Sequence, residues 1–477
     1  MRFVSTRDPR TTATFREAVL AGLAPNGGLW MPDPLPPVRD WPDLLALDWQ
    51  DRAVAILDRL LGDEIDRAAL AAAVRSALDF PVPLVPITPV HRGVCALELF
   101  HGPTLAFKDF GARFFAAVLD LLREPGRPVT ILTATSGDTG AAVAHAFWNR
   151  PGVRVGGLYP KGRISDLQER QLATLGGNVT ALAVNGAFDD CQTLVKAAFA
   201  DQDLATRHGL TSANSINVAR LLPQLLYYTE AVAALRRLEE TAPPVIAVPS
   251  GNFGNLCAGL LARALGLPVT AFIAATNANT TIPEYLDTGT YRPRLSIATL
   301  SNAMDVGAPN NWERIEYLYG GDLDALRQVL RWGWRDDDGT REAIRDLAAH
   351  GYLADPHAAV AYGVLTERLE PGETGVFLAT AHPAKFLPVY EEMGIEVEIP
   401  EALAVLQDRP MTVREIPAEM EALRRVLDHV FPPYRRPTPQ RKIDQRPPPA
   451  LSPRRHPKAP TGGTSPEGQC RLFAATP

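Results

Sequence analysis

A lysine set among aromatic rings is the first residue in this chain whose type and surroundings suggest chemistry. Lys108 lies in Phe100-His-Gly-Pro-Thr104-Leu-Ala-Phe107-Lys108-Asp109-Phe110-Gly111, just ahead of a run whose apolar positions Phe114, Phe115, Val118, Leu119 and Leu122 have helical spacing. Desolvation between Phe107 and Phe110 disfavours the ammonium form and lowers the pKa toward the range in which an amine forms a Schiff base. A lone lysine near a helix start is ordinarily a surface residue, so the assignment depends on its company.

That company is a pair of turns. Val245-Ile-Ala-Val-Pro-Ser-Gly251-Asn252-Phe253-Gly254-Asn255 leads directly into an apolar run. Small and polar residues at a helix start leave backbone N–H groups unpaired and converging where the helix dipole also favours an anion, which makes a phosphate cradle. A tight turn with an asparagine cap explains the same residues about equally well when the segment is taken alone. The second turn is Thr133-Ala-Thr135-Ser136-Gly137-Asp138-Thr139-Gly140. Its hydroxyl and N–H groups suit a carboxylate or phosphate, although Asp138 would oppose an anion lying directly on it. An ordinary helix cap by Ser136 or Asp138 is the competing account. Nucleotide fingerprints are missing: no two glycines stand at i and i+2, and no G-x-x-x-x-G-K-[ST] loop occurs. One lysine, one phosphate turn and one carboxylate turn are the parts that a pyridoxal-phosphate site requires.

The elements that must position these residues alternate along the chain. Between about 90 and 400, short apolar or β-branched runs precede helical stretches: Val129 to Thr133 before Ala141 to Trp148, Val153 to Leu158 before Leu167 to Leu175, and Val245 to Val248 before Leu256 to Leu265. The alternation predicts an α/β fold of parallel sheets flanked by helices, with ligands at the carboxyl ends of the strands. Ahead of it, Pro32, Pro34, Pro36 and Pro37 mark an irregular connection, and Trp41 to Leu78 carries helical spacing, so a small helical N-terminal part is expected.

With 477 residues, 46% hydrophobic and 21% charged, the chain has the composition of a globular protein, and no apolar stretch approaches a membrane helix. The first residues read as neither signal nor anchor. Cys95, Cys191, Cys257 and Cys470 have no C-x-x-C spacing, which argues against a disulfide framework and a metal site and for a reducing, cytoplasmic location. From Tyr434 onward nine Lys and Arg face Asp444 and Glu467, a net +7 that leaves −13 on the rest of a chain whose total is −6. The acidic body gives no nucleic-acid footprint. The tail, with Pro447, Pro448 and Pro449 in a row, reads as disordered. The expected organisation is therefore an N-terminal part over 1–88, a catalytic region of two α/β subdomains over 89–433, and a Pro/Arg-rich tail over 434–477.

The segments around Lys108, Ser136 to Gly140 and Gly251 to Asn255 resemble threonine synthases, members of the tryptophan-synthase-β-like class of pyridoxal-phosphate enzymes. Supporting stretches are Phe3-Val-Ser-Thr6, Ala21 to Gly28, Asn214-Ser-Ile-Asn217-Val-Ala-Arg220-Leu-Leu-Pro-Gln224, Asn302 to Asn310, Asp355-Pro-His357 and Phe377-Leu-Ala-Thr380-Ala-His-Pro383-Ala-Lys-Phe386. The resemblance covers about residues 1 to 400, and the tail departs from it. It implies conversion of O-phospho-L-homoserine and water to L-threonine and phosphate by γ-elimination and β-addition of water, in a monomer or homodimer. It also implies roles. Lys108 would form the Schiff base and move protons at the α and β carbons. Gly251, Asn252, Phe253, Gly254 and Asn255 would hold the cofactor phosphate, and Thr380 would offer its hydroxyl to the pyridine nitrogen. Ser136, Asp138 and Thr139 would receive the substrate carboxylate or the cofactor's ring edge, and Asn217 and Arg220 the substrate phosphate, for which a guanidinium fork is suited. His357 and His382 are read as structural, with Asp355-Pro356 as a helix cap and first position. A same-fold phospho-lyase or dehydratase releasing 2-oxobutyrate shares these residues. A catalytically dead ligand-binding relative would have no chemical reason to keep Lys108.

Overall fold

Three sheets carry the chain in a computed structural model that describes residues 1–87, 93–124 and 126–431. The expectation of disorder over 434–477, and Cys470 with it, lies outside the described residues. The described residues lie in one compact unit.

The six-stranded sheet runs, edge to edge, Leu330–Trp334, Ala271–Thr276, Val245–Pro249, Gly375–Ala379, Val94–Glu98 and Leu84–Pro86. All neighbours are parallel except the last pair. A five-stranded sheet, wholly parallel, runs Val413–Pro417, Val179–Asn185, Val153–Pro160, Val129–Ala134 and Leu210–Ser212. Parallel strands are stable when both faces are covered, and the cores show that they are. Ile246, Val248, Phe272 and Leu378 enter one apolar core, while Val245, Ala247, Ile273 and Phe377 point into another. Ile131 and Val155 of the second sheet share the first of these cores, whereas Leu132 and Leu158 face a third. One core thus lies between the two sheets and locks them together.

The helix Lys108–Leu122 fills part of that shared core, burying Phe110, Phe114, Phe115, Val118, Leu119 and Leu122 as the spacing predicts. Within Trp41 to Leu78 the structure places the helices Trp41–Ala46, Trp49–Leu61 and Arg67–Ala77. The expectation of a purely helical N-terminal part is corrected: Asp8–Ala13, Arg2–Ser5 and Trp30–Asp33 form an antiparallel three-stranded sheet. These strands are only four to six residues long, and Phe3, Val4 and Ser5 are buried in succession, so no alternation signals them. Pro32, read as part of an irregular connection, is tolerated because its strand is an edge. Among the described residues no helix is long and apolar enough to cross a membrane.

Candidate active site

The carboxyl ends of parallel strands from both larger sheets open onto one cavity of about 1460 Å³, lined among others by Lys108, Ser136, Asn252, Asn255, Arg220 and Thr380. Lys108 is delivered to it by a tied turn. Leu105 has a left-handed φ of 55°, uncommon for a leucine. Phe107 N–H donates to the Thr380 carbonyl at 2.8 Å, and His382 N–H donates to the Leu105 carbonyl at 3.0 Å. The turn ahead of the lysine is therefore stitched to the turn that carries Thr380. Lys108 Nζ lies 4.4 Å from the Phe107 ring centroid and has no hydrogen-bond or ion-pair partner among the described residues. Burial, with the Arg220 guanidinium as a second cause, draws its pKa down to about 8. A free amine is thus accessible near neutral pH.

Gly251 to Asn255 join the strand Val245–Pro249 to the helix Gly254–Ala264. Phe253 caps that helix in the left-handed region, at φ 59°, without a side-chain cap bond, so the first N–H groups stay available. Asn252 fixes the turn by accepting from Asn310 N–H at 2.6 Å and donating to Ser215 Oγ at 3.1 Å. Asn255 Oδ1 accepts from the hydroxyls of Tyr227 and Tyr228. This orients the amide, and its buried Nδ2 finds no partner among the described residues. An unpaired buried donor beside free helix N–H groups is a cradle for an anion.

The turn Thr135 to Thr139 is built differently. Thr135 Oγ1 accepts from Gly137 N–H at 2.9 Å and Gly140 N–H at 2.7 Å. Gly137 occupies φ 129°, and a Cβ there would meet the Gln168 side chain at 2.4 Å. Neither Ser136 nor Asp138 caps the helix Asp138–Phe147; the cap position is Gly137, with no side-chain bond. Ser136, Asp138 and Thr139 all line the cavity. Asp138 pairs with Lys385, Nζ to Oδ1 2.8 Å, and accepts from Gln168 Nε2 at 2.9 Å. Burial pushes its carboxyl upward, but Lys385 and Gln168 outweigh burial and hold it below the usual range.

Arg220 and Asn217 part company. Arg220 lines the cavity, is 2% exposed, donates to the Ala213 carbonyl and leaves Nε unpartnered among the described residues. Burial lowers its pKa only to about 10, so it remains a cation. Gly111 makes room for it, since a Cβ there would lie 2.7 Å from Arg220 Nε. Asn217 is corrected from a ligand residue to a frame residue. It is fully buried, does not line the cavity, donates to the carbonyls of Val19 and Ser212, and caps the helix Val218–Leu221 through Ala219 N–H. Its polar atoms are committed, and its cap aims the short helix that carries Arg220. His357 lines the cavity, yet both ring nitrogens belong to the frame: Nε2 accepts from Ala303 N–H at 3.1 Å, which leaves Nδ1 to donate to Asp355 at 2.6 Å. Asp355 also caps the helix Pro356–Arg368 and accepts from Ala381 N–H, steadying the residue after Thr380. Sequence reasoning passed over Lys385, although it stands in the quoted run after Thr380. An ammonium beside Pro383, Ala384 and Phe386 was the available signal.

A "Pyridoxal-phosphate dependent enzyme" family model matches residues 77–381, a "Threonine synthase N terminus" model matches 2–78, and a "Threonine synthase, C-terminal" model matches 358–427. The chain is 49% identical to the threonine synthase of Escherichia coli K12 and 48% identical to that of Haemophilus influenzae, each alignment covering 90% of this chain and 99% of the relative. The crystal structure of the E. coli threonine synthase superposes with a TM-score of 0.86 at 48% identity, over 90% of this chain and all of that one. A PLP-bound threonine synthase from Brucella melitensis superposes with a TM-score of 0.84 at 35% identity, over 91% of this chain and all of that one. With three consecutive family models spanning the N-terminal part, the sheets around the cavity and the C-terminal elements, this chain belongs to the threonine synthase family of pyridoxal-phosphate-dependent enzymes.

Proposed function

We propose that this chain converts O-phospho-L-homoserine and water to L-threonine and phosphate, with Lys108 as its catalytic residue. One observation carries the reading. An unpaired lysine amine of lowered pKa faces a cavity that also holds a cradle with an unpartnered amide donor and a buried, partly unpartnered guanidinium. Pyridoxal phosphate fits these residues: an amine to bond its carbonyl carbon, an orphaned Asn255 Nδ2 with free helix N–H groups for its phosphate, and the hydroxyl of buried, cavity-lining Thr380 for its ring nitrogen. When bound, the cofactor supplies an electron sink that makes protons at the substrate's α and β carbons removable.

The chain's own residues do the rest. Lys108, in its neutral form, takes and returns those protons. Gly251, Asn252, Phe253, Gly254 and Asn255 hold the cofactor phosphate. Ser136, Asp138 and Thr139 form the wall for the substrate carboxylate. Arg220 holds the substrate phosphate in the ground state and stabilises the charge gathering on it as it departs. Asn217 keeps Arg220 in place. The described cysteines Cys95, Cys191 and Cys257 are free and buried, in keeping with a reducing, cytoplasmic location.

The test is product identity. Purified holoenzyme incubated with O-phospho-L-homoserine is expected to release L-threonine and phosphate in equal amounts. Release of 2-oxobutyrate in place of threonine would make the chain a phospho-lyase on the same frame.

A further inference from the structure

The turn Thr135 to Thr139 places a carboxylate on the wall proposed to receive a carboxylate. Asp138 is 4% exposed and lines the cavity. Two like charges about 5 Å apart in such a setting would weaken binding by roughly a hundredfold. The structure supplies the counter-charge from far along the chain. Lys385 is wholly buried, with Nζ 2.8 Å from Asp138 Oδ1 and donating to the Thr104 carbonyl at 2.8 Å. It belongs to the 3-10 turn Pro383–Phe386, just past Thr380, while Thr104 precedes Lys108 in its tied turn. One ammonium therefore joins the segments carrying the ring partner, the amine and the carboxylate wall. Gln168, donating to the same Asp138 oxygen from the helix Asp166–Ala173, completes the clamp.

We infer that Lys385 is a positioning residue for substrate binding: it cancels the charge of Asp138 and holds the Ser136 to Thr139 turn in the form that accepts the α-carboxylate. The inference rests on the reading of that turn given above. It accounts for a buried lysine within reach of the cavity that the chemistry does not otherwise use, and for an acidic side chain in an anion turn.

The experiment is a charge cycle on the holoenzyme, using Lys385→Met, Asp138→Asn and the double variant. KM and kcat are measured for O-phospho-L-homoserine, and binding of its α-carboxamide analogue is followed through the visible cofactor band. Lys385→Met is expected to raise KM by roughly thirtyfold to a hundredfold, with a much smaller change in kcat and cofactor retained. The double variant, which leaves no lone buried charge, is expected to recover about tenfold of that loss. The carboxamide carries no charge to repel, so its affinity should fall far less than that of the acid. Equal losses for acid and carboxamide, or no recovery in the double variant, overturn the inference and leave Lys385 a packing residue. If Lys385→Met fails to fold, Asp138→Asn decides: loss of the pair's hold on the turn weakens acid and carboxamide alike, but with Lys385 uncancelled the preference for the acid over the carboxamide should rise about threefold, and a fall in that preference overturns the inference. Failure of wild-type holoenzyme to make threonine would sink the proposed function alone. The same cycle is then read by titrating the cofactor band with L-threonine, so the two failures stay distinct.

Discussion

At the end of Val245–Pro249 the chain turns through Gly251 to Asn255 into a helix, and at the end of Val129–Ala134 it turns through Thr135 to Thr139 into another. Both turns follow interior strands, both face the same cavity, and both use glycine and small polar residues. The first contains no charged residue, and two tyrosine hydroxyls orient Asn255 so that an unpaired donor remains. The second closes on itself through Thr135 and carries an acid whose charge is cancelled by a lysine 247 positions later. Similar local punctuation is thus completed in two different ways. One relies on backbone and amide donors, and the other on a tertiary ion pair, because a helix start alone does not decide which anion it holds.

The comparison can be broken first at the group both turns serve. Lys108→Ala is expected to lower kcat/KM for O-phospho-L-homoserine by about 10⁴-fold or more. Borohydride treatment of wild type should fix the cofactor on Lys108 and nowhere else. A label found by mass spectrometry on Lys385 would exchange the roles of the two buried lysines.

Arg220 tests whether the substrate phosphate has a site apart from the cradle. Arg220→Ala should lower kcat/KM by about 10²-fold, the scale of losing one charge-stabilising group, while the visible band is kept. Lysine at this position should rescue poorly, because a point charge lacks the fork. Loss of the band would mean that Arg220 serves the cofactor instead.

The cradle itself is sharpened by Asn255→Ala. Removing one donor to a charged phosphate should weaken cofactor affinity by about tenfold or somewhat more, as measured by equilibrium dialysis. At saturating cofactor its KM should move far less than that of the Lys385→Met enzyme. Equal effects on both would erase the division of labour between the turns.

The smallest expected effect is in pH. Cofactor capture by the apoprotein requires the neutral amine of Lys108, whose pKa lies at about 8. The capture rate should therefore rise about tenfold between pH 7 and 9 and then level off, whereas an ordinary lysine would keep gaining to beyond pH 10. Stopped-flow absorbance across that range would separate the two.

Much of this arrangement is legible in the chain because it is local. Lys108 between Phe107 and Phe110, and the run from Val245 to Asn255, carry their chemistry within a dozen residues, and the β-branched runs with following helices foretell parallel sheets. Long-range partnership is not legible in this way. Asn217 looks like a ligand beside Arg220 until Val19, almost two hundred positions earlier, takes its amide. The N-terminal strands escaped notice because they are short and buried in succession, without the alternation that marks a half-exposed strand.

By itself, the sequence determined the fold class and the family resemblance and pointed to the amine and to a candidate phosphate turn, since each rests on residue type at close spacing. Only the tertiary structure decided which of the candidate polar residues reach the cavity and which belong to its frame. It alone decided that the charge of Asp138 is cancelled, by bringing Lys385 and Gln168 against it. The physical reason is that a buried charge is tolerable only when paired, and the chain can place its partner wherever the fold closes the distance.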